Sequence, residues 1–327
     1  MQQTAPDVGV IKNAVKLASR APSIHNSQPW HWVHDAGSLE LFVDRSRLVY
    51  VADSSGREAI LSCGAALDHL RVAMAAFGWR TKVCRFPNPG NRAHLATVNF
   101  DAIEFVDEIQ YKRAEAILER RTDRLPLWPP SFWTVFEPEL RRTICDSSAV
   151  ELDVLSNEVR PQLASTSFSA RILRSQEPGY QAEIRWWTAP YVLSEGVPPE
   201  VIPSSSESLR LDIARDFPAG VDSDRRRGLG MDASIILVLS TREDSRADVL
   251  QCGEALSSVL LECTVAGLAT CTLTHLIELS ESRDIIRSLI GRGRQPQVLI
   301  RVGAAPPVEN LPAATPRLPL DEILECR

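Results

Sequence analysis

Residues 61–81, LSCGAALDHLRVAMAAFGWRT, return in related form at residues 250–270 as LQCGEALSSVLLECTVAGLAT. The two stretches align without a gap at a constant offset of 189 residues, from Leu61 to Leu250, and share a CG-x-AL beginning and a G-x-x-T end. Two unrelated amphipathic helices could match in part by chance, but identity at both ends favours a duplication. Apolar and small residues at three-to-four spacing predict a long buried helix in each copy, with a glycine at its end and a strand after it.

The duplicated helix predicts a fold of two unequal, related halves. The first half covers residues 1–107, and the second, which contains several more helices, covers residues 108–327. Mixed helices and mainly antiparallel strands indicate an α+β layered fold. Two copies of one helix in one chain predict an intramolecular pseudo-dimer, in which the paired helices pack at the centre and their small residues permit close approach. The proline-rich tail Pro306–Pro319 is expected to cross, extended, to the other half.

Composition and charge argue against several classes of function. The 327 residues carry a formal net charge of −6, and aspartates precede the basic run Arg225–Arg227, so nucleic-acid binding is not expected. The seven cysteines include no CxxC pair, and His25, His31 and His34 have no carboxylate or thiol at metal-ligand spacing, so no metal site is expected. No apolar segment approaches the length of a membrane span and no signal-peptide pattern begins the chain, which predicts a cytoplasmic protein without a membrane partner.

Four polar segments could carry chemistry, and each also has a plain structural interpretation. Residues 20–30, RAPSIHNSQPW, form a loop fixed by two prolines that either presents several hydrogen-bond donors or is only a polar connection. Residues 120–124, RRTDR, are a donor cluster suited to a phosphate monoester, or a solvated charged turn. Arg317 lies between two prolines, which favours anion binding, and Gly267 leads into a strand of small side chains against which a flat ring could lie. Both of these could equally be ordinary turns.

In combination and in this order, the segments resemble the FMN-dependent nitroreductases. The PSIHNSQPW loop is the most specific element, and the Arg-Arg-Thr-x-Arg motif, the Gly-Leu turn, the Arg-x-Pro tail and Met231–Ser234 are also similar to that family. With its duplicated half, the chain looks like the mycobacterial Acg-type nitroreductase-like flavoproteins. The resemblance spans most of the chain apart from residues 131–227.

The resemblance implies one FMN at the interface of the two halves. It assigns the phosphate to Arg120, Thr122 and Arg317, the ribityl chain or pyrimidine ring to Arg124, contacts from the other half to Pro22, Ser23, Asn26 and Gln28, and backbone contacts near ring atom N5 to Thr274 and His275. A reciprocal site would need a second arginine motif and a second PSxxN loop, which the sequence lacks. One FMN per chain and a monomeric protein are therefore expected.

The resemblance further implies an oxidoreductase that takes electrons from NAD(P)H and passes them to a nitroaromatic or quinone acceptor, with no dedicated catalytic nucleophile. No GxGxxG fingerprint is present, so a tightly held nicotinamide is not expected. An FMN-binding or storage protein with little turnover is the alternative, and fragmentation of the flavin with oxygen is a third. Residues 131–227, with Trp186, Trp187 and Tyr191, would form a lid over the flavin or an extra helical pair packed on the sheet.

Overall fold

The computed structural model describes residues 5–144, 149–189, 194–218, 220, 223–291, 293–306 and 312–327. Tyr191 of the predicted lid lies outside these residues, as does part of the predicted tail crossing. The helices are α1 (Val8–Ala18), α2 (Arg57–Ala76), α3 (Glu108–Glu119), α4 (Trp133–Thr143), α5 (Arg160–Ser175), α6 (Pro178–Trp187), α7 (Ser205–Ser208), α8 (Arg246–Val265), α9 (Ser280–Ile290) and α10 (Leu320–Ile323). The strands are β1 (Trp30–Asp35), β2 (Ser38–Val43), β3 (Trp79–Arg85), β4 (His94–Ala102), β5 (Val150–Leu155), β6 (Ile235–Thr241), β7 (Ala269–Leu273), β8 (Gln295–Gly303) and β9 (Leu324–Cys326).

Helices α2 and α8 pack against each other at the centre of the molecule, and their bounds keep the 189-residue offset over their full length. They cross at two glycines. A Cβ added to Gly64 would lie 2.1 Å from the carbonyl oxygen of Leu250, and one added to Gly253 would lie 2.1 Å from that of Leu61. These two contacts are equivalent under the 189-residue offset, as a pseudo-two-fold axis between the helices requires. The predicted pseudo-dimer is confirmed, and its helices approach so closely because no side chain separates them.

Each central helix packs against one sheet, and the two sheets share the same order of four strands. The first sheet has the strand order β3-β4-β2-β1-β9 and the second the order β5-β6-β8-β7, which reads as β7-β8-β6-β5 from its other edge. In each half the central helix is therefore followed by an edge strand that pairs with the next strand along the chain. Antiparallel pairing dominates, and among the strand pairs of the described residues only β1 and β9 run parallel. The predicted α+β class with two unequal halves is confirmed.

The halves differ in what connects their strands. A two-residue turn at Ala36 and Gly37, both at positive φ, joins β1 to β2. Residues 156–234 separate the corresponding strands β5 and β6 and contain helices α5, α6 and α7. At the C-terminus, β9 pairs with β1 of the first sheet, so the chain does return to the other half after the proline-rich tail.

Helix α2 corrects one expectation from the sequence. It is long and apolar enough to cross a membrane by length and composition, whereas no segment of that kind was expected. However, 83% of its apolar window is buried inside the protein. Its apolar character is accounted for by its place in the core, between α8, α1 and the first sheet.

Candidate functional site

Two adjoining cavities lie where the halves meet. We call them the inner and the outer cavity, and both are lined by Pro22, Ser23, Thr122 and Arg124. The inner cavity is also lined by His25, Glu58, Leu61, Ser62, Ala214, Arg215, Phe217, Leu256, Cys271, Leu273, Thr274 and Arg301, among others. The outer cavity is also lined by Arg20, Asn26, Arg120, Arg121, Val197, Arg226, Thr315 and Arg317, among others. Residues that are far apart in sequence thus share one continuous site.

The loop after α1 contributes first-half residues to the lining of both cavities. Its residues His25, Asn26 and Gln28 have φ values of 48°, 59° and 51°, a left-handed conformation that is unfavourable for residues other than glycine. The Asn26 side chain donates to the carbonyl of Pro316 at 3.2 Å, so the C-terminal tail helps to hold the loop. This strained loop is therefore fixed by contacts from outside it.

Gln28 and His275 are the two predicted residues that line neither cavity. The Gln28 side chain is fully buried; it donates to the Ser194 carbonyl at 2.9 Å and accepts from the Leu318 backbone N–H at 2.9 Å. His275 is also buried, with Nε2 3.0 Å from the Ser167 hydroxyl. Burial, followed by the charge of Arg215, lowers the pKa of His275 well below its usual value, which keeps the ring neutral. Both side chains hold neighbouring segments in place.

Three arginines converge at the far end of the outer cavity. Arg317 donates from Nε to the Ser19 carbonyl at 2.7 Å, and both Arg317 and Arg120 donate to the Arg20 carbonyl, at 3.2 and 2.9 Å. Arg20 in turn donates to the Thr315 carbonyl at 3.0 Å. Within the described residues, none of the three forms an ion pair with a carboxylate, and the buried Nε of Arg120 has no hydrogen-bond partner.

This arginine cluster (Arg20, Arg120 and Arg317) has a surplus of positive charge. Burial, and next the charge of Arg20, lowers the pKa of Arg120 to about 10. Burial, and then Arg20 and Arg120, lowers the pKa of Arg317 as well. Like charges are held together here with fewer compensating contacts than buried guanidinium groups normally have. A bound dianion would supply the missing partners.

The RRTDR motif is held along the edge of the second sheet. Thr122 makes a parallel bridge to Thr270 of β7, and the backbone N–H of Asp123 donates to the Thr270 carbonyl at 2.8 Å. The carboxylate of Asp123 pairs with the buried Arg226, which belongs to the basic run Arg225–Arg227. Arg124 stands between the two cavities, its guanidinium 5.4 Å from the centre of the Phe217 ring. The pKa of Arg124 is lowered, and burial is the largest cause.

Several inner-cavity residues were not predicted. Arg215 donates to the Tyr180 hydroxyl at 2.5 Å and to the Thr274 hydroxyl at 2.8 Å, and it pairs with the buried Glu278. Arg301 of β8 is fully buried and donates to Asp232 at 2.6 Å. Sequence patterns gave no signal for these roles, because each depends on contacts between segments far apart in the chain.

The segment between β5 and β6, residues 156–234, supplies Pro203, Ala214, Arg215 and Phe217 to the lining of the inner cavity and also contacts the first half. In helix α6, Glu183 accepts hydrogen bonds from the backbone N–H groups of Val51 and Ala52 at 2.9 and 3.0 Å. The buried Trp187 ring stacks near His25 at 6.5 Å between ring centroids, and Phe217 meets His25 edge-on at 6.3 Å. This segment of the second half is thus attached to the first half beside His25 of the inner cavity.

Comparison with known proteins gives the family. The Mycobacterium tuberculosis (strain ATCC 25618 / H37Rv) protein named "Putative NAD(P)H nitroreductase acg" is 50% identical over 327 residues, which cover 100% of this chain and 98% of the relative. The chain belongs to this Acg-type nitroreductase family. Another protein of the same strain, Rv3127, is 54% identical over 322 residues, covering 97% of this chain and 93% of its own length. No family model matches the chain.

Solved structures agree on the fold of this Acg-type protein. The crystal structure of "a putative nitroreductase" from Anabaena variabilis ATCC 29413 aligns with 93% of this chain and 90% of its own, at a TM-score of 0.51 and 8% identity. At that identity the likeness concerns the fold alone. Because the alignment extends over nearly the whole chain, both halves take part in the nitroreductase fold.

Proposed function

We propose that this Acg-type protein binds one FMN across its two halves and acts as an NAD(P)H-dependent oxidoreductase on nitroaromatic or quinone acceptors. The observation that carries the proposal is the arginine cluster at one end of two adjoining cavities, which has no carboxylate partner in the part of the chain that the structure describes. FMN is a phosphate monoester joined to a flat ring by a polar chain. Its phosphate would lie at the arginine cluster of the outer cavity, and its ring would lie in the inner cavity.

The phosphate group of FMN fits the residues of the arginine cluster. Arg120 and Arg317 were expected from the resemblance, and Arg20 joins them. The free Nε of Arg120 and the Thr122 hydroxyl are donors available to phosphate oxygens. The Asn26 and Ser23 side chains line the same cavity from the first half and would contact the ribityl chain.

The isoalloxazine ring of FMN fits the lining of the inner cavity. The apolar side chains of Leu61, Leu256 and Leu273 come from both halves and would contact the faces and edge of an isoalloxazine ring. When bound there, FMN supplies hydride transfer between NAD(P)H and an acceptor. A cation near the pyrimidine edge favours the reduced anionic flavin, and Arg124, at the junction of the two cavities, is our candidate for that role.

The single arginine motif and the single PSxxN loop support one site per chain. We propose halves of residues 1–107 and 108–327, with a lid drawn from residues 131–227. Helix α6, with Trp187, and the segment of Arg215 and Phe217 are the parts of that lid that reach the site. Because both halves of the interface are present in one chain, we propose that the protein works as a monomer in the cytoplasm.

Steady-state oxidation of NADH and NADPH by the FMN-loaded protein, with nitroaromatic and quinone acceptors, tests the proposal. We expect turnover well above that of the same concentration of free FMN. The variant Arg317→Ala should retain much less FMN than the wild-type protein after gel filtration. Turnover no faster than free FMN would remove the reductase assignment, and unchanged flavin content in the variant would remove the phosphate role of Arg317.

An FMN-binding or storage protein with little turnover is the second candidate. The contacts of Glu183 with Val51 and Ala52 and of Trp187 with His25 favour it, because they join this segment to the first half beside the inner cavity and would hinder entry of a nicotinamide. Stoichiometric FMN binding combined with reduction by dithionite but not by NAD(P)H would select this candidate over the reductase.

A further inference from the structure

Glu58 is a buried carboxyl group that faces the inner cavity. It lies in the first turn of α2, only 2% exposed, and lines the cavity together with Ser62 one turn further along the helix. Its Oε1 lies 3.3 Å from the Arg57 guanidinium. Its Oε2 is buried and has no hydrogen-bond partner among the described residues. An ionised carboxylate left with one bare oxygen in such a place would be costly.

The charged groups around Glu58 are already engaged with other partners. Arg57 donates to the carbonyl and to the side-chain oxygen of Gln297, at 2.8 and 3.0 Å. Arg215 pairs with Glu278, and Asp53 accepts the Ala59 backbone N–H at 2.9 Å.

The protonation of Glu58 follows from this arrangement. Its pKa is raised to about 8, chiefly by burial and next by the charge of Glu278; Asp53 also raises it, while Arg57 and Arg215 lower it. At neutral pH the folded protein therefore keeps a proton on Glu58. A protonated carboxyl group is a donor, and here its Oε2 has no partner within the protein.

We propose that Glu58 is the proton donor of the inner cavity and delivers a proton to the oxygen of a quinone or nitro acceptor as that acceptor is reduced. This inference rests on the proposed function. Reduction of a quinone to a hydroquinone takes one hydride and one proton. The bound cofactor would supply the hydride. The proton comes from Glu58: its O–H bond breaks, a new O–H bond forms on the acceptor oxygen, and Glu58 is left as a carboxylate. For a nitro group, one hydride and one proton give the nitroso compound and water.

The decisive variant is Glu58→Gln, which keeps the shape of the side chain but has no acidic proton. With quinone or nitroaromatic acceptors, its turnover should fall about 10²- to 10⁴-fold, the usual contribution of a general acid. With ferricyanide, which takes single electrons and no proton, its turnover should stay within a few-fold of wild type. Asp68→Asn is the matched control, because Asp68 is another buried carboxyl on α2 with a raised pKa and lines neither cavity. The control should show no such difference between acceptors.

Infrared spectroscopy of the protein without cofactor supplies a readout that does not depend on turnover. The wild-type protein should show the C=O stretching band of a protonated carboxyl that disappears around pH 8, and Glu58→Gln should lack that band. Absence of the band from the wild-type protein would overturn the proposal, and so would an equal fall in Glu58→Gln turnover with every acceptor.

Failure of this inference differs from failure of the proposed function. Wild-type turnover of quinones that Glu58→Gln retains in full would remove only the role of Glu58. No turnover of any acceptor by the wild-type protein would remove the reductase assignment and the proton delivery together.

Discussion

Replacing Gly64 with alanine is expected to destabilise the protein by forcing the two central helices apart. The new Cβ would lie 2.1 Å from the Leu250 carbonyl oxygen, 2.9 Å from the Gly253 Cα and 3.1 Å from the Glu254 nitrogen. All three are backbone atoms of α8, so no side chain can rotate away. Reaching van der Waals contact at about 3.5 Å requires the helices to separate by roughly 1.4 Å or more. Overpacking of a core costs about 1–3 kcal/mol, and we expect the upper end of that range, roughly 3 kcal/mol.

Urea denaturation followed by circular dichroism measures this change as a lower free energy of unfolding. Gly253→Ala should cost a similar amount, because its Cβ would meet the Leu61 carbonyl oxygen at 2.1 Å. Gly230→Ala is the control, since its Cβ would meet nothing within 4 Å, and its stability should stay within about 1 kcal/mol of wild type. If Gly64→Ala proves as stable as the Gly230→Ala control, the close crossing of the duplicated helices is refuted.

Three further predictions concern the site. Inorganic phosphate should raise the melting temperature of the cofactor-free protein more than chloride of equal ionic strength, because at ten times its Kd it would stabilise the folded state by roughly 1.4 kcal/mol. Arg120→Ala should abolish the difference, and equal effects of the two anions would contradict an anion site. Because the pKa of Glu58 is raised from 4.5 to about 8, the folded protein holds a proton that the unfolded chain releases between these pH values. The unfolding free energy should therefore fall as pH rises through that window, and Glu58→Gln should flatten the curve in urea titrations; a variant curve parallel to wild type would oppose this. Glu183→Ala removes the acceptor of the Val51 and Ala52 N–H groups, so bound FMN should exchange several-fold faster in stopped-flow fluorescence, while an unchanged rate would show that α6 does not limit exchange.

The fold was predictable mainly because the chain repeats itself. The match of residues 61–81 with 250–270 gave the central helices, their close approach and the related halves before any contact was known. Helix α4 was not predicted, because Pro138 lies inside it and interrupts the helical pattern. Strand β9 was not predicted either; it is three residues long, and its pairing with β1 depends on where the tail runs.

The site was predictable where a motif presents several functional groups together. One or both cavities are lined by residues of the arginine motif, of the loop at Pro22–Asn26, and by Thr274 and Arg317. Gln28 belongs to the same loop, but its side chain points into the protein and binds the tail, which a motif alone does not reveal. Glu58 and Arg215 were missed for a different reason. Each is an isolated charged residue in the sequence, and only the packing of distant segments makes it part of a cavity wall.

The stoichiometry of FMN tests the central claim most directly. The purified protein is saturated with FMN, freed of excess cofactor and denatured, and the released flavin is quantified by absorbance against the protein concentration. One FMN per chain, in a particle of monomeric mass, is the result that a single site between two fused halves predicts. Two FMN per chain would show that the second interface position also binds cofactor, and no binding even at high FMN concentration would contradict the assignment of the arginine cluster as a phosphate site.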